Sequence, residues 1–187
     1  MAKRPWRQSF FRRFVAELEP RLSAGGSILE LGSGPGFLAR QLLEALPRVA
    51  HTALDFSAPM HALAEERLGP LAQRVRFVQA DFKTSEWAAG LSSYDAVVTM
   101  QAVHELRHKR HAASLYEVVR RLLRPGGLFL VCDHVCGEAG MAETSLYMSL
   151  DEHRRALHEA GFSAHLVRYE SGIVLYRAQA EKPQGAP

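Results

Sequence analysis

The sequence lacks the features of a membrane-spanning or disulfide-stabilised protein. Its 187 residues include only two cysteines, too few for a disulfide scaffold. It contains no run of about 18 consecutive apolar residues that would span a bilayer. We also find no secretory leader, internal repeat or low-complexity block. We therefore expect a cytoplasmic protein without a membrane segment.

The composition is that of an ordinary globular domain, with 47% hydrophobic and 23% charged residues. At this length a single domain is expected. We predict that residues 1–180 form it, with an N-terminal lid helix at 1–22 and a core at 27–177. The tail at 181–187, which contains Pro and Gly and no large apolar residue, is predicted to be disordered.

Positive charge is concentrated at the beginning of the chain. The formal net charge is only +3, but the first thirteen residues include Lys3, Arg4, Arg7, Arg12 and Arg13. Two interpretations stay open: contact with phosphate or another anionic partner, and a solvated helix face.

Short β-branched runs alternate with amphipathic stretches, which predicts an α/β fold. Strands are predicted at 27–31, 49–54, 75–79, 94–99, 128–133, 164–169 and 173–177. Helices are predicted at about 6–19, 37–46, 59–68, 108–123 and 150–160. Only Glu170, Ser171 and Gly172 separate the last two strands, too few residues for a parallel crossover. We therefore predict a seven-stranded, mostly parallel sheet with one antiparallel edge strand and helices on both faces.

A glycine-rich turn follows the first predicted strand. The segment ILELGSGPG at 28–36 places Gly32, Gly34 and Gly36 at every second position, directly before a helix. Glycine permits a tight turn and lets a ligand approach without meeting a Cβ, and the N–H groups at a helix start favour anionic or polar ligand atoms. A turn without functional consequence is the alternative. A dinucleotide fingerprint needs its third glycine one position later, where Phe37 stands.

Acidic residues follow the next two predicted strands. Asp55 closes the second strand and Asp81 the third. A carboxylate at a strand's C-terminal end can accept both hydroxyls of a ribose, although an Asp there can also cap the following helix. Phe56 and Phe82 come next in the chain, and each can be a core residue or stack on a flat ring.

Five segments in order resemble the class I S-adenosylmethionine-dependent methyltransferases of the small-molecule branch. They are the glycine loop, the two acidic strand ends, YDAVVTMQAVHEL at 94–106, and LLRPGG at 122–127. The resemblance implies a Rossmann-like fold, S-adenosyl-L-methionine as the cofactor, and Asp81 as the acceptor of the adenine amine. The cofactor-binding residues that it implies are Glu30, Gly32, Ser33, Gly34, Gly36, Asp55, Phe56, Met60, Asp81, Phe82 and Gln101. Of these, Met60 can also be a plain packing residue.

His104 is the candidate general base. Methyl transfer from a sulfonium depends mainly on holding the acceptor in line, and a base matters only if the acceptor must lose a proton. His104 follows the predicted fourth strand at the edge where α/β sites open. The alternative is a surface histidine at the start of a turn.

The segment Cys132-Asp133-His134-Val135-Cys136 is not predicted to bind a metal. Three soft ligands within five residues do not make a closed tetrahedral zinc site, and the chain has no second cysteine pair. We predict instead that Asp133 and His134 line the pocket of the methyl acceptor.

The family resemblance implies a lid made of the N-terminal helix and the short segment 134–149. An apolar cover is expected from Trp6, Phe10, Phe11, Met141, Tyr147 and Met148. The predicted acceptor-binding residues are Trp6, Phe10, His104, Asp133, His134 and Tyr147. We expect a small organic acceptor methylated on oxygen, nitrogen or carbon, no nucleic-acid partner, and a monomer or homodimer. Two alternatives stay open: a protein or RNA methyltransferase that docks through the basic N-terminus, and a module that binds the cofactor without transferring a methyl group.

Overall fold

Helices and strands alternate along the chain as the sequence predicts. The computed structural model describes residues 6–84, 86–137 and 140–180. The α-helices are α1 (Trp6–Leu22), α2 (Phe37–Ala45), α3 (Ala58–Leu68), α4 (Ala112–Leu122) and α5 (Leu150–Glu159). The strands are β1 (Gly26–Leu31), β2 (Val49–Asp55), β3 (Val75–Gln79), β4 (Tyr94–Met100), β5 (Leu123–His134), β6 (Phe162–Glu170) and β7 (Ile173–Ala180). Short 3₁₀ turns lie at Gly69–Arg74, Val103–Leu106 and Lys109–His111.

The seven strands form one mixed sheet in the order β3-β2-β1-β4-β5-β7-β6. The pairs among the first five strands are parallel, and β7 runs antiparallel to both of its neighbours. The predicted sheet with a closing hairpin is confirmed, and the reversed strand, β7, lies one position in from the edge. Because the chain order changes direction between β1 and β4, a crevice opens there at the C-terminal ends of the strands.

The core lies on both faces of the sheet, because successive strand residues point to opposite sides. On one face, Ile28, Val98 and Leu130 pack with the buried residues of α1 and α2. On the other, Val97 and Phe129 pack with those of α4 and α5. Helix α1 is therefore part of the core, and its inner side is buried from Phe10 to Leu22.

The LLRPGG segment differs from the prediction. We expected a helix to Leu123 and then a turn, but α4 ends at Leu122 and β5 begins immediately. Leu123 pairs with Tyr94 and Leu128 with Ala96, so the residues between form a bulge in β5. The predicted helix start at 108 is also wrong, because a 3₁₀ turn occupies Lys109–His111 before α4 begins.

Some predictions concern residues that the structure does not describe. The tail at 181–187 and the basic residues Lys3 and Arg4 lie outside the described residues. The division into a lid helix and a core stays a prediction. Within the described part of the chain, no helix has the length and apolar character to cross a membrane.

Phe14 of α1 is fully buried in the cluster between α1, α2 and the sheet. We expect Phe14→Ala to lower the free energy of unfolding by about 3–5 kcal/mol, since lost apolar transfer and a cavity both contribute. Denaturant titration measures this change. The exposed neighbour Arg12 provides the control, and Arg12→Ala should change the same free energy by no more than about 0.5 kcal/mol. Equal effects of the two substitutions would show that α1 is not anchored as described.

Candidate active site

A cavity of about 340 Å³ opens at the C-terminal ends of β1, β4 and β5, at the point where the strand order reverses. Small-molecule sites have volumes of roughly 300–1,000 Å³. The predicted site residues that line it are Glu30, Gly32, Ser33, Gly34, Gln101, His104 and His134. The other lining residues are Arg7, Phe11, Pro35, Phe37, Leu38 and Met100, of which only Phe11 belongs to the predicted cover.

The glycine loop forms one wall of the cavity. Its start is tied to β2, because the N–H groups of Gly32 and Ser33 donate to the Leu54 carbonyl. A Cβ on Gly32 would lie 2.3 Å from the Cβ of Ala102, so this glycine is required for packing. Gly34, with φ +51°, is different: a Cβ there would meet no atom within 4 Å. The space beside Gly34 is therefore open to a ligand.

The carboxylate of Asp55 holds this loop in place. One oxygen accepts the Gly34 N–H at 2.8 Å, and the other accepts the Ser57 N–H at 2.9 Å. Asp55 is buried and is not among the lining residues of the cavity. Each carboxylate oxygen can still accept a second hydrogen bond, so the residue retains the capacity to bind a hydroxyl.

Five other predicted cofactor residues are not among those that line the cavity. Gly36 precedes α2, Met60 lies in α3, and Phe56, Asp81 and Phe82 follow the ends of β2 and β3. The Phe56 side chain is 57% exposed, with the Lys83 Nζ atom 5.2 Å from its ring centroid. Met60 is also exposed, and the Asp81 carboxylate accepts the Lys83 N–H. Phe82 lines a separate cavity of about 470 Å³. An aromatic ring exposed to this degree beside two acidic strand ends offers a flat apolar surface to a ligand.

Glu30 is buried at the bottom of the cavity, where only 2% of it is exposed. Its Oε2 atom lies 2.9 Å from the Nε2 atom of His51, which is also buried. Burial raises the pKa of Glu30, and the hydrogen bond to His51 opposes this effect only in part. The carboxyl group therefore carries its negative charge less readily than an exposed glutamate.

His104 is held by Asp133, which lies behind it and not at the cavity surface. The His104 Nδ1 atom is 2.7 Å from one Asp133 oxygen, and the His104 backbone N–H donates to the other at 2.9 Å. Burial lowers the pKa of His104, but the hydrogen bond and the charge of Asp133, with a contribution from Glu105, outweigh it and raise the pKa. With Nδ1 bonded to the carboxylate, Nε2 is the ring nitrogen that can accept a proton.

Gln101 and Ser33 contribute polar atoms for which the described residues supply no partner. Gln101 has the rare backbone φ of +58°, and its side-chain amide donates to the Nε2 atom of His134 at 2.6 Å. Its Oε1 atom and the Ser33 hydroxyl are buried without a hydrogen bond. Because buried polar groups are normally satisfied, these two atoms are suited to contact a ligand in the cavity.

Helix α1 presents a different pair of residues to the cavity from the predicted one. Phe10 is fully buried in the core, with the edge of Trp6 packed against its ring. Arg7 and Phe11, one position further along the helix, line the cavity instead. Arg7 and Phe11 are four residues apart, so they lie on the same side of the helix. This side is next to the more apolar side that begins at Trp6, which the sequence pattern favours as the one facing the acceptor.

The other predicted acceptor residues do gather around His104. The Tyr147 ring centroid lies 5.3 Å from that of His104 and 5.8 Å from that of His134. The neighbouring Cys132 is buried. Within the ranges that the structure describes, no three His, Cys, Asp or Glu side chains are placed to hold a metal ion.

Solved structures of several methyltransferases resemble this fold. The glycopeptide N-methyltransferase MtfA matches with a TM-score of 0.73 at 22% identity, over 92% of this chain and 90% of that chain. An O-methyltransferase family protein from Burkholderia thailandensis matches with a TM-score of 0.73 at 16% identity, over 95% of this chain and 60% of that one. At these identities the likeness concerns the fold, and it confirms the predicted Rossmann-like architecture.

Relatives by sequence carry similar names. The malonyl-(acyl-carrier protein) O-methyltransferase of Paenibacillus sp. (strain JDR-2) is 30% identical over 154 residues, covering 73% of this chain and 55% of that protein. The ubiquinone/menaquinone biosynthesis C-methyltransferase UbiE of Allorhizobium ampelinum is 30% identical over 120 residues, covering 63% and 45%. The chain thus spans about half the length of these two relatives.

The family model that matches this chain is described as a methyltransferase domain, and it matches residues 28–127. The matched range begins in β1, includes the glycine loop and both acidic strand ends, and extends to the bulge of β5. Because this range is more than half of the 187 residues, the chain belongs to the methyltransferase domain family, as its five sequence segments predicted.

Proposed function

We propose that the protein transfers a methyl group from S-adenosylmethionine to an oxygen, nitrogen or carbon atom of a small organic acceptor. One observation carries this proposal: Gly34, with its open side, and His104, which Asp133 holds from behind, line the same crevice. A donor held along the glycine loop and an acceptor beside His104 would therefore meet inside it.

The residues at the loop fit the amino-acid end of the donor. Gly34, with open space beside it, and Ser33 and Gln101, each with an unpartnered polar atom, all line the cavity. Glu30, Gly32 and Gly36 complete that part of the proposed donor site. Phe56, Met60, Asp81 and Phe82 continue it along the ends of β2 and β3, with Asp55 between the two parts. When bound, S-adenosylmethionine supplies a methyl group activated by its sulfonium.

The protein's own contribution is position and proton transfer. Asp133 orients the His104 ring, so that Nε2 can take the proton of a hydroxyl or amine acceptor. Tyr147 packs beside both histidines and would limit the access of water to the acceptor. On α1, the proposed acceptor contacts are Arg7 and Phe11, in place of Trp6 and Phe10.

The relatives support a small acceptor without specifying the atom that is methylated. The names of the four proteins compared above include O-, N- and C-methyltransferases. We further propose a cytoplasmic protein that acts as a monomer or homodimer. Two free cysteines, Cys132 and Cys136, suit a reducing compartment.

Gly34→Ala tests the proposed donor site. The added methyl group enters the open space beside the loop, and we expect the affinity for S-adenosylhomocysteine to fall about tenfold or more, since overpacking costs about 1–3 kcal/mol. Isothermal titration calorimetry measures the affinity. Gly126→Ala is the matched control, because Gly126 also has a positive φ (+78°) and no neighbour within 4 Å. Both variants lose stability through backbone strain, but only Gly34→Ala should lose affinity, and equal affinities would contradict the site.

His104→Ala tests the general base. We expect a large fall in kcat for hydroxyl and amine acceptors, with the affinity for S-adenosylhomocysteine unchanged, because the ring acts on the acceptor. A turnover assay with labelled methyl donor and a panel of phenols, amines and carboxylic acids measures it. An undiminished rate in this variant would remove His104 from the mechanism, and no labelled product from the wild-type protein with any acceptor would favour a non-catalytic binding module.

The pH dependence tests the role of Asp133. The base form of His104 increases as the pH rises through its raised pKa, so the rate should rise with pH over that interval. Asp133→Asn removes the charge that raises this pKa. The rising limb of the pH–rate profile should therefore move to lower pH, and the maximal rate should fall. Glu105→Gln, which removes a weaker and more distant charge, should move the limb less. A limb that stays in place in Asp133→Asn would show that another group controls it.

A further inference from the structure

Among the described residues, a buried histidine of β2 is the hydrogen-bond partner of the carboxyl group at the bottom of the cavity. We propose, on the basis of the function proposed above, that this histidine, His51, is a positioning residue for the methyl donor. It holds the Glu30 carboxyl group at the cavity, where this group binds the ammonium of the donor's amino-acid end and releases a proton to the solvent on binding. His51 stands in the middle of its strand, outside the segments on which the family resemblance rests.

The geometry of the pair shows which proton His51 offers. Ile28 stands opposite His51 in the β1–β2 ladder, and Glu30, two residues after Ile28, points to the same face of the sheet. The His51 Nε2 atom lies 2.9 Å from the Glu30 Oε2 atom. The His51 Nδ1 atom is buried and has no hydrogen-bond partner among the described residues. Because a proton on Nδ1 would be buried without an acceptor, which is costly, the ring carries its proton on Nε2 and donates it to Glu30.

Glu30 has fewer donors than the other buried carboxylates of the site. Asp133 accepts three N–H groups and Asp55 accepts two, whereas Glu30 accepts only that of His51 within the described part of the chain. Burial raises the pKa of Glu30, and the hydrogen bond to His51 offsets this effect only in part. The free protein therefore keeps a proton on Glu30 to a higher pH than on an exposed glutamate, and a cation placed beside the carboxyl group favours its charged form.

An ammonium group fits the acceptor atoms that line the cavity with Glu30. The Ser33 hydroxyl oxygen and the Gln101 Oε1 atom are both buried without a partner in the described residues, and both side chains belong to the cavity lining. Together with the Glu30 carboxylate, they offer acceptors for the three N–H donors of an ammonium. The sulfonium of the donor has no N–H group, so these acceptors suit the amino group of its amino-acid end.

Other ionisable groups near Glu30 have to be separated from its effect. Asp55, at the end of β2, adds to the raised pKa of Glu30, although less than burial does. The other ionisable side chains that line the cavity are Arg7, His104 and His134. On α2, Arg40 and Glu44 pair with each other on the exposed side of the helix. The groups that line the cavity can influence how the donor's carboxylate binds, so the test needs two ligands that both carry this carboxylate and differ only in the amino group.

Calorimetry between pH 5 and 7.5 compares S-adenosylhomocysteine with its deamino analogue, in which hydrogen replaces the amino group. Both ligands lack the sulfonium charge. We expect the ratio of the two affinities to rise with pH by up to about tenfold per pH unit, and to level off above the pKa of Glu30, because one proton is released. Titrations in buffers of different ionisation enthalpy should show this release with S-adenosylhomocysteine and not with the analogue. Glu30→Gln should abolish both effects.

Two substitutions of His51 test its positioning role. His51→Leu removes the donor that lowers the pKa of Glu30, so the rise in the affinity ratio should move to higher pH. At pH 7 the affinity for S-adenosylhomocysteine should fall about tenfold or more, the usual effect of a hydrogen bond to a charged group, while the analogue keeps its affinity. His51→Gln, whose amide can donate in place of Nε2, should stay close to the wild-type profile. If His51→Leu does not fold, His51→Phe, which keeps a ring at this place, replaces it.

Thr52→Val is the matched control. Thr52 is the next residue of β2 and points to the opposite face, where it accepts a hydrogen bond from the Tyr94 hydroxyl. The substitution removes a buried hydrogen bond from the same strand and should leave the pH profile in place, and melting temperatures show that each variant is folded.

The outcomes separate this proposal from the proposed function. An affinity ratio that does not change with pH in the wild-type protein would overturn the role of the pair, and so would a His51→Leu variant that weakens both ligands equally without moving the profile. In either case, binding of S-adenosylhomocysteine would leave the proposed function in place. No binding of S-adenosylhomocysteine to the folded wild-type protein at any pH would remove the proposed function, and this proposal with it.

Discussion

The arrangement of the site depends on a single buried carboxylate at the end of β5. Asp133 is 2% exposed and accepts three N–H groups: the backbone and Nδ1 of His104 at 2.9 and 2.7 Å, and the backbone of His134 at 2.7 Å. A buried carboxylate without such partners would be strongly destabilising. These bonds therefore secure the segment that follows β4 to the end of β5. Burial first, and the charge of Asp133 second, raise the pKa of the Cys132 thiol and of the Tyr116 hydroxyl and hold both neutral.

The acidic groups of the site hold its segments in place through hydrogen bonds, and the basic groups lie at the surface of the cavity. Asp55 holds the glycine loop through two backbone N–H groups, and Asp133 holds the histidine segment in the same way. Glu30 is paired with His51 beneath the loop. Because these carboxylates already have donors, little negative charge is left at the cavity surface.

Much of the fold was predictable because it depends on local patterns. All seven strands lie where alternating or continuous apolar runs predict them, and the short link before β7, two residues long in the structure, required an antiparallel pair. The LLRPGG segment was not predictable in this way. Pro and Gly favour a turn in isolation, but Leu123 pairs with Tyr94 of β4. Because of this long-range pairing, the segment forms a bulge within β5 instead of the expected turn.

For the site, the sequence alone determined the family, the glycine loop, the acidic strand ends and His104, because these follow one another along the chain at the ends of strands. Only the tertiary structure decided how α1 is rotated and what stands behind His104. One residue along a helix is a rotation of about 100°, so Phe10 enters the core while Arg7 and Phe11 reach the cavity. Asp133 and His104 are 29 residues apart, and their hydrogen bond exists only because the parallel sheet brings the ends of β4 and β5 together. Local patterns specify the elements, whereas the faces that meet are specified by packing between elements distant in sequence.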